Sequence, residues 1–209
     1  MKEKQKLSLA FRILRAWGFN YSEGSYGNVS FGRVIKQAFG NIHRSILSNM
    51  MNWAILEPLN PMKLRPYFMR RMGCTVGKGC FIGGGVKLDT GHADMITLED
   101  SVSIASGSRL LCHQRDFSKY YVGDDRMKLA YVVKPIVLKK GCLIGMESFI
   151  MPGVTVGEGA IVGAGSLVTK DIPAWTVAVG RPAKVIRQIP VRKVEQVEDT
   201  SENVASPKE

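Results

Sequence analysis

A period of six residues runs through residues 138–173, which read LKKGCL IGMESF IMPGVT VGEGAI VGAGSL VTKDIP. Every block opens with Leu, Ile or Val, and its fifth residue is small or aliphatic. The openers are Leu138, Ile144, Ile150, Val156, Val162 and Val168, and the fifth residues are Cys142, Ser148, Val154, Ala160, Ser166 and Ile172. This period fits neither a helix, which repeats near 3.6 residues, nor an alternating strand. It is typical of a parallel β-helix, in which the chain turns a corner every six residues and each opener points into a narrow prism.

The same register continues upstream with two interruptions. The earlier openers are Val76, Ile82, Leu88, Leu98, Ile104 and Leu110. The step from Leu88 to Leu98 is longer than the repeat, so about four extra residues bulge out of the prism there. The step from Leu110 to Leu138 is much longer, so a long loop over residues 114–135 leaves the prism. The sequence therefore predicts an all-β solenoid of about four coils, each made of three short strands and packed on its neighbours.

Residues 150–189, IMPGVTVGEGAIVGAGSLVTKDIPAWTVAVGRPAKVIRQI, resemble the hexapeptide-repeat acyltransferases. The likeness is strongest to the sugar O-acetyltransferases of the maltose, galactoside and colanic-acid types, and it covers about residues 70–189. It implies a left-handed parallel β-helix, although left-handed crossovers are rare in general. It also implies a short C-terminal helix at residues 181–190, acetyl-CoA as co-substrate with no metal, and a homotrimer whose donor sites lie between adjacent subunits.

The chain before the repeat is predicted to be helical. Apolar residues recur at helical spacing over residues 5–17 and 31–56, separated by a Gly- and Ser-rich linker at 18–30. A short basic helix at 64–73 leads into the first coil. We therefore expect an N-terminal helical extension over residues 1–72 that caps the open end of a β-helix domain at 73–180. The polar residues 191–209 are predicted to be a disordered tail.

The net charge of +11 is concentrated in the first 72 residues, which hold twelve Lys or Arg against three Asp or Glu. Such a basic arm suggests an anionic neighbour such as a membrane surface, a nucleotide or a polyanion, but a solvated basic face explains it equally well. Peripheral membrane contact through the N-terminal helices therefore stays open. We expect a small-molecule or glycan acceptor and no nucleic-acid partner.

The four cysteines are expected to be small buried hydrophobic residues. Cys80 and Cys142 occupy the fifth place of a repeat, and Cys74 has the same phase. The fourth cysteine is Cys112, and the sequence contains no CxxC pair. A disulfide framework or a cysteine metal site is therefore not expected, and a reducing cytoplasm fits. Charged residues interrupt the early apolar run, so neither a signal peptide nor a membrane span is predicted.

Three histidines are available for catalysis: His43, His92 and His113. The resemblance assigns the general base to His113, because the family's base lies just before the protruding loop. Imidazole suits proton abstraction near neutral pH; the alternative is a loop histidine without a role. Asp89, one coil earlier, is the best candidate to orient the ring of His113. Asp94 and Asp116 are rival carboxylates, and an ordinary corner aspartate remains an alternative for Asp89.

The resemblance also places the donor, residue by residue. The small residues that line the pantetheine arm in the family correspond to residues 163–165 here. The cations that bind the CoA phosphates correspond to residues nearer the C-terminus. The predicted donor residues are Met146, Gly163, Ala164, Gly165, Thr169, Lys170, Lys184 and Arg187. Two positions depart from the galactoside type: Met146 replaces a serine, and Gly83 replaces an asparagine that helps to position the acceptor.

The function that these residues favour is acetyl-CoA-dependent O-acetylation of a sugar or glycan precursor, with a histidine base in a ternary complex. N-acylation of an amino sugar and O-acetylation of serine are alternatives, and a non-catalytic hexapeptide scaffold is a further one. A γ-carbonic-anhydrase-like metal enzyme would need three histidine ligands around one ion. The spacing of the three histidines does not match that pattern, because His43 lies outside the prism.

Overall fold

The structure, a computed structural model, describes residues 7–18, 30–53, 55 and 62–191. Three helices precede the repeat: α1 at Leu9–Ala16, α2 at Phe31–Met51 and α3 at Leu64–Met72. Serine side chains cap the first two, since Ser8 Oγ accepts from the Phe11 amide and Ser30 Oγ from the Arg33 amide. The predicted tail from residue 192 onward and most of the predicted linker lie outside the described residues.

Sixteen strands follow along the described chain. In chain order they are β1 Thr75–Val76, β2 Phe81–Ile82, β3 Lys87–Leu88, β4 Ile96–Leu98, β5 Ser103–Ile104, β6 Arg109–Leu110, β7 His113–Arg115, β8 Tyr131–Val133, β9 Ile136–Leu138, β10 Leu143–Ile144, β11 Phe149–Ile150, β12 Thr155–Val156, β13 Ile161–Val162, β14 Leu167–Val168, β15 Thr176–Gly180 and β16 Ala183–Gln188. Two 3₁₀ turns, Thr90–Met95 and Arg126–Lys128, lie between them.

Three sheets form the faces of the prism, and their strands pair in parallel except for β16. Sheet A has the order β1-β4-β9-β12, sheet B the order β16-β15-β13-β10-β5-β2, and sheet C the order β14-β11-β6-β3. Within each sheet the hexapeptide openers are paired with one another, as in Leu88↔Leu110 and Ile150↔Val168. All twelve openers end a strand, so the six-residue register predicted from the sequence is confirmed.

The openers and the fifth residues fill the interior, as predicted. Ten openers are at most 1% exposed, and only Val76 and Leu88 of the first coil are partly buried. The buried hydroxyls at fifth places are hydrogen-bonded: Ser148 Oγ donates to the Gly163 carbonyl at 3.1 Å and Ser166 Oγ to the same carbonyl at 2.7 Å. Polar fifth residues are therefore compatible with a dry core because a backbone acceptor faces them.

The four cysteines are buried, free thiols. Burial raises the pKa of Cys74, Cys112 and Cys142 to about 12 each. A thiol with such a pKa is almost fully protonated at neutral pH and a poor nucleophile. This applies to Cys112 in particular, which is the sequence neighbour of His113.

Helices α2 and α3 cover the end of the prism at the first coil. Leu47 and Met51 of α2, with Met69 of α3, belong to the same buried cluster as the prism interior. The buried Arg65 donates from Nε to the Met51 carbonyl at 3.3 Å and from Nη1 to the Ile82 carbonyl at 3.2 Å. These contacts agree with the expected capping role. The helices cover the first coil, and Arg65 donates a hydrogen bond to a backbone carbonyl of that coil.

The predicted C-terminal helix at 181–190 is wrong. Ala183–Gln188 forms strand β16, which pairs antiparallel with β15 through a tight turn at Gly180, whose φ is +104°. A helix over residues 181–190 would leave its first four N–H and last four C=O groups without an intrahelical partner. Strand pairing gives these groups partners on β15, and the β-branched Val185 and Ile186 favour it.

The predicted loop over 114–135 is more ordered than expected. It is a two-stranded arm, in which β7 and β8 pair antiparallel with His113 opposite Val133. The shorter excursion between Leu88 and Leu98 contains the 3₁₀ turn Thr90–Met95, whose Ala93 is fully buried. Both excursions leave the prism beside sheet C, and this position determines which side chains meet there.

Candidate active site

Asp89, His92 and His113 form a cluster at one edge of sheet C. The side chain of Asp89 is only 5% exposed, whereas those of His92 and His113 are 35% and 40% exposed. Nδ1 of His113 is in short contact with Oδ2 of Asp89, and Nδ1 of His92 lies 3.3 Å from both carboxylate oxygens. Both imidazoles therefore face the same buried carboxylate.

The repeat itself brings Asp89 and His113 together. Asp89 directly follows β3, and the residues leading to His113 follow β6, its neighbour in sheet C. The backbone amide of Cys112 donates to Oδ2 of Asp89 at 3.2 Å and fixes the carboxylate. Among the three carboxylates considered from the sequence, Asp89 is thus the one that contacts His113.

The two rival aspartates have other surroundings. Asp94 is exposed on the 3₁₀ turn. Asp116 Oδ1 accepts from the Ser118 amide at 2.9 Å, and hydrogen bonding by Ser118 lowers the pKa of Asp116. The carboxylate of Asp116 therefore caps a turn within the arm and is not a partner of the His113 imidazole.

His92 joins the cluster because helix α2 holds its turn in place. Arg44 Nη1 donates to the carbonyls of Thr90 and Gly91 at 3.1 Å and 3.3 Å. The ring of His92 then lies 5.1 Å from the ring of His113, centroid to centroid. The N-terminal extension therefore contributes to the site as well as to the cap.

Electrostatics favour an ionised Asp89. Burial raises the pKa of Asp89, but the hydrogen bonds and the charge interactions with His113 and His92 together lower it by more, so the pKa lies below the ordinary value for aspartate. An ionised carboxylate accepts only, so the Nδ1 atom that faces it carries the proton. In the neutral imidazole of His113, the Nε2 atom then has a lone pair, which is what a general base requires.

The arm supplies one wall of the site. The Tyr131 ring meets the ring of His113 edge-on at 5.5 Å, and the guanidinium of Arg115 lies 4.6 Å from the Tyr131 ring centroid. Arg115 Nη1 also donates to the Leu129 carbonyl at 2.9 Å, which ties the two strands of the arm together. Tyr131, Arg115 and His92 were not singled out by the sequence as partners of His113.

The cluster also has the composition of a possible metal site. One ligand atom from each of Asp89, His92 and His113 lies within 4.8 Å of the other two. In the observed geometry, however, the Nδ1 atoms already face the carboxylate, so hydrogen bonding accounts for the arrangement. The third histidine, His43, is exposed on α2 and is not part of this cluster. The expectation that the reaction needs no metal stays a prediction, and measuring activity after treatment with a chelator would test it.

The predicted donor residues near the pantetheine lie at a different edge of sheet C, where sheet B turns into it. Gly145 N donates to the Val162 carbonyl at 2.8 Å, and Gly165 N to the Met146 carbonyl at 2.7 Å. A Cβ at Gly145 would lie 2.5 Å from the backbone nitrogen of Ala164. The coils therefore approach so closely that only glycine fits there, while the side chain of Met146 is 55% exposed beside them.

Gly83 lies on the same corner in the first coil. A Cβ there would lie 2.5 Å from the backbone nitrogen of Ser106, which leaves no room for a side chain without a backbone shift. This explains why the asparagine of the galactoside type has no counterpart here.

A groove of about 570 Å³ continues along this corner and was not predicted. Its lining residues are Gly84, Gly85, Lys87, Ser106, Gly107, Arg109 and Glu147. Arg109 also stacks on Phe149, with its guanidinium carbon 5.1 Å from the ring centroid, and Arg181 lies 5.4 Å from the same ring. Lys87 and Arg109 could neutralise an anionic group bound in the groove.

The predicted phosphate-binding cations lie on two faces of the prism. Thr169 and Lys170 directly follow β14, on the same edge of sheet C as Asp89 but at its opposite end. Lys184 and Arg187 lie on β16, opposite Val179 and Val177 of β15 at the end of sheet B. All four are exposed. Within one chain, Lys184 and Arg187 therefore lie on sheet B, whereas Lys170 lies beside sheet C.

Comparison with known proteins agrees with this architecture. Residues 135–170 match the family model described as bacterial transferase hexapeptide (six repeats). A 2,3,4,5-tetrahydropyridine-2,6-dicarboxylate N-acetyltransferase of Staphylococcus aureus is 44% identical over 72 residues, which are 34% of this chain and 28% of that protein. The chain therefore spans less than a third of the length of this curated relative.

Two solved structures share the fold. A maltose O-acetyltransferase from Clostridium difficile 630 aligns with a TM-score of 0.58 and 24% identity, over 74% of this chain and 89% of that one. A hexapeptide-repeat acetyltransferase from Vibrio cholerae, in complex with acetyl coenzyme A, aligns with a TM-score of 0.55 and 18% identity, over 79% and 93%.

These likenesses imply that the prism is a left-handed β-helix, as predicted from the sequence. The family match is confined to the last two coils of the repeat, whereas the structural likeness extends over most of the chain. The resemblance to hexapeptide-repeat acyltransferases is thereby confirmed, and residues 135–170 carry the hexapeptide repeat of the bacterial transferases.

Proposed function

We propose that this protein is an acyltransferase that moves an acetyl group from acetyl-CoA to a hydroxyl of a sugar or glycan precursor. The observation that carries the proposal is the contact between His113 and the buried, ionised Asp89 beside an accessible edge of sheet C. The acetyltransferases among the sequence and structural relatives support the reaction class.

The proposed chemistry is a direct transfer in a ternary complex. His113 Nε2 takes the proton from the acceptor hydroxyl as that oxygen attacks the thioester carbonyl. When the tetrahedral intermediate breaks down, the carbon–sulfur bond cleaves and the proton on His113 goes to the departing thiolate. The base is thereby restored, and neither a redox partner nor a covalent enzyme intermediate is required.

The neighbouring residues suit this role. Cys112 is not available as a competing nucleophile, because it is fully buried and its pKa is raised to about 12. A hydroxyl needs a base more than an amine does, since an amine is nucleophilic once it is neutral. An imidazole held by a carboxylate therefore favours O-acetylation. N-acetylation is the second candidate, because the Staphylococcus aureus relative is an N-acetyltransferase.

The test is a turnover screen with the full chain. Purified protein is incubated with acetyl-CoA and, in separate reactions, sugars, amino sugars, sugar nucleotides, serine and polysaccharide, and the release of free thiol is measured. We expect acceptor-dependent release with a hydroxyl-bearing sugar or glycan. Release only with amino sugars would favour N-acylation, and CoA binding without any turnover would favour the scaffold hypothesis.

For the donor, we predict that Lys170→Ala and Arg187→Ala raise the KM for acetyl-CoA with a smaller change in kcat. The phosphates lie far from the reacting carbonyl and are bound similarly in the ground and transition states. Because both cations are exposed, we expect a rise of about two- to fivefold. Steady-state kinetics at low and high salt measure this effect, which added salt weakens.

Lys140→Ala is the matched control, because Lys140 is an equally exposed lysine at a corner that follows a strand of sheet A. Its KM for acetyl-CoA is expected to equal that of the wild type. If the KM is unchanged in both Lys170→Ala and Arg187→Ala, the donor placement is wrong, whatever the role of His113.

We also propose a homotrimer. Most of the predicted donor residues lie on another edge or face of the prism than the base, and Lys170 lies at the opposite end of the edge that carries Asp89. A neighbouring subunit would bring complementary parts together. Three-fold closure suits a three-sided prism. Light scattering is expected to give three times the chain mass of 23.0 kDa. A monomeric mass at assay concentration would contradict the proposal.

A further inference from the structure

Helix α2 exposes a continuous row of large apolar side chains. These residues, called here the apolar stripe, are between 41% and 69% exposed. They are Phe31, Ile35, Phe39, Ile42 and Ile46. At 3.6 residues per turn they fall within an arc of about 80° on one side of the helix.

The stripe points away from the protein. Leu47 and Met51, which pack into the buried core, and Arg44, which holds the turn at Thr90, lie on the opposite side of α2. Helix α2 therefore has one apolar face that contributes to folding and a second one that folding leaves exposed. A contiguous exposed apolar surface of this kind marks an interaction site.

Helix α1 extends the same surface. Leu9 and Ile13 are exposed at a spacing of one turn, while Phe11 on the other side is buried. Leu9 and Ile13 line a cavity of about 480 Å³ together with Phe31, the first residue of the stripe. The apolar faces of the two helices thus meet and form one surface.

The charged residues of the two helices are all basic. Residues 7–18 and 30–53 contain no Asp or Glu, and their cations are Arg12, Arg15, Arg33, Lys36 and Arg44. Exposed tryptophans also lie just beyond the two helices, Trp17 at 79% and Trp53 at 53%. Basic amphipathic helices with aromatic residues at their ends are typical of segments that lie in the interface of an anionic bilayer.

We propose that α1 and α2 dock onto an anionic membrane surface, with the apolar stripe inserted at the boundary between headgroups and acyl chains. No helix in the described part of the chain is long and apolar enough to cross a bilayer. A second copy of the chain fits this surface less well, because pairing the same basic helices would bring like charges together. The proposal does not depend on the acyl-transfer chemistry.

Docking in this orientation has a consequence for the site. Arg44 on the protein-facing side of α2 holds the turn that carries His92. The Asp89–His113 edge therefore lies beside the docked helix rather than at the far end of the prism.

The experiment is co-sedimentation of the full chain with vesicles. One set is phosphatidylcholine alone, and the other contains phosphatidylglycerol as well. We expect binding to the anionic vesicles only, and weaker binding as salt is raised. Phe39→Ser is expected to lower the partition coefficient by about tenfold, because one large apolar side chain no longer enters the membrane.

Phe117→Ser is the matched control, because Phe117 is 60% exposed on the arm and Phe39 is 69% exposed on the stripe. Its partitioning is expected to equal that of the wild type, and circular dichroism verifies that both variants are folded. Absence of binding to anionic vesicles, or equal binding by wild type and Phe39→Ser, overturns the proposal. A fall in the light-scattering mass of Phe39→Ser without any vesicle binding overturns it in favour of an interface between copies.

Discussion

Replacing His113 with alanine is expected to lower kcat for acetyl transfer by about 10²–10⁴-fold, the usual contribution of general acid–base catalysis. The imidazole of His113 contacts Asp89 directly, and its side chain is 40% exposed, so an incoming hydroxyl can reach it. The affinity for CoA is expected to stay nearly unchanged, because the predicted donor residues lie at other edges of the prism or, in the case of Thr169 and Lys170, at the opposite end of the edge that carries Asp89. Steady-state kinetics and calorimetric CoA binding measure the two quantities.

His43→Ala is the control for this prediction, because His43 is an exposed histidine on α2 outside the cluster. It is expected to keep wild-type kcat. If His113→Ala keeps activity within a few-fold, the assignment of the base is wrong. His92→Ala is then the next variant, since His92 contacts the same carboxylate.

Replacing Asp89 with asparagine is expected to lower kcat by about 10–100-fold, the typical effect of losing a group that orients a functional histidine. Asparagine keeps the shape but removes the charge that holds the proton on Nδ1 of His113. A positioning role also predicts a stability effect with a definite pH dependence. The pKa of Asp89 is lowered by folding. The stability that its charge contributes is therefore present above the unfolded-state pKa of about 3.9 and is lost as pH falls through the lower folded-state value.

The free energy of unfolding of the wild type is therefore expected to exceed that of Asp89→Asn at neutral pH. The difference is expected to shrink as the pH falls below the pKa of the carboxyl group in the unfolded state. Urea unfolding at neutral and acidic pH measures this. Asp94→Asn, at an exposed carboxylate on the same turn, is expected to behave as the wild type in both assays. A stability difference that does not change with pH would contradict the assignment of an ionised Asp89.

Most of the prism could be predicted from the sequence because its repeat is strict. Each opener occupies the last position of a strand, where the side chain must enter the core, so a slip by one residue would expose all of them. The same register predicted that Asp89 and His113 lie near each other. Leu88 pairs with Leu110, so the residues that follow them leave the prism side by side.

The contributions of His92 and Tyr131 could not be predicted in this way. His92 lies in a 3₁₀ turn outside the repeat, and the position of that turn depends on Arg44 of helix α2, which lies 46 residues before Thr90 and donates to its carbonyl. Tyr131 reaches His113 because the arm folds back as an antiparallel pair. Neither contact follows from a period of six residues.

For the C-terminal segment, the sequence predicted the wrong secondary structure. The resemblance predicted a helix for a stretch whose β-branched residues, Val185 and Ile186, also suit a strand. The unpaired edge of β15 decides the outcome, because Ala183–Gln188 supplies its antiparallel partner. As a result Lys184 and Arg187 lie on sheet B, away from Lys170, and their joint role at a phosphate stays a prediction.

The most direct test of the account is the transfer of labelled acetyl from acetyl-CoA to a hydroxyl acceptor found in the turnover screen, with wild type and His113→Ala compared side by side. The account predicts label in the acceptor with the wild type, little with His113→Ala, and none attached to the protein itself. Label retained covalently on the protein, or equal transfer by the two proteins, would contradict direct transfer with His113 as the base.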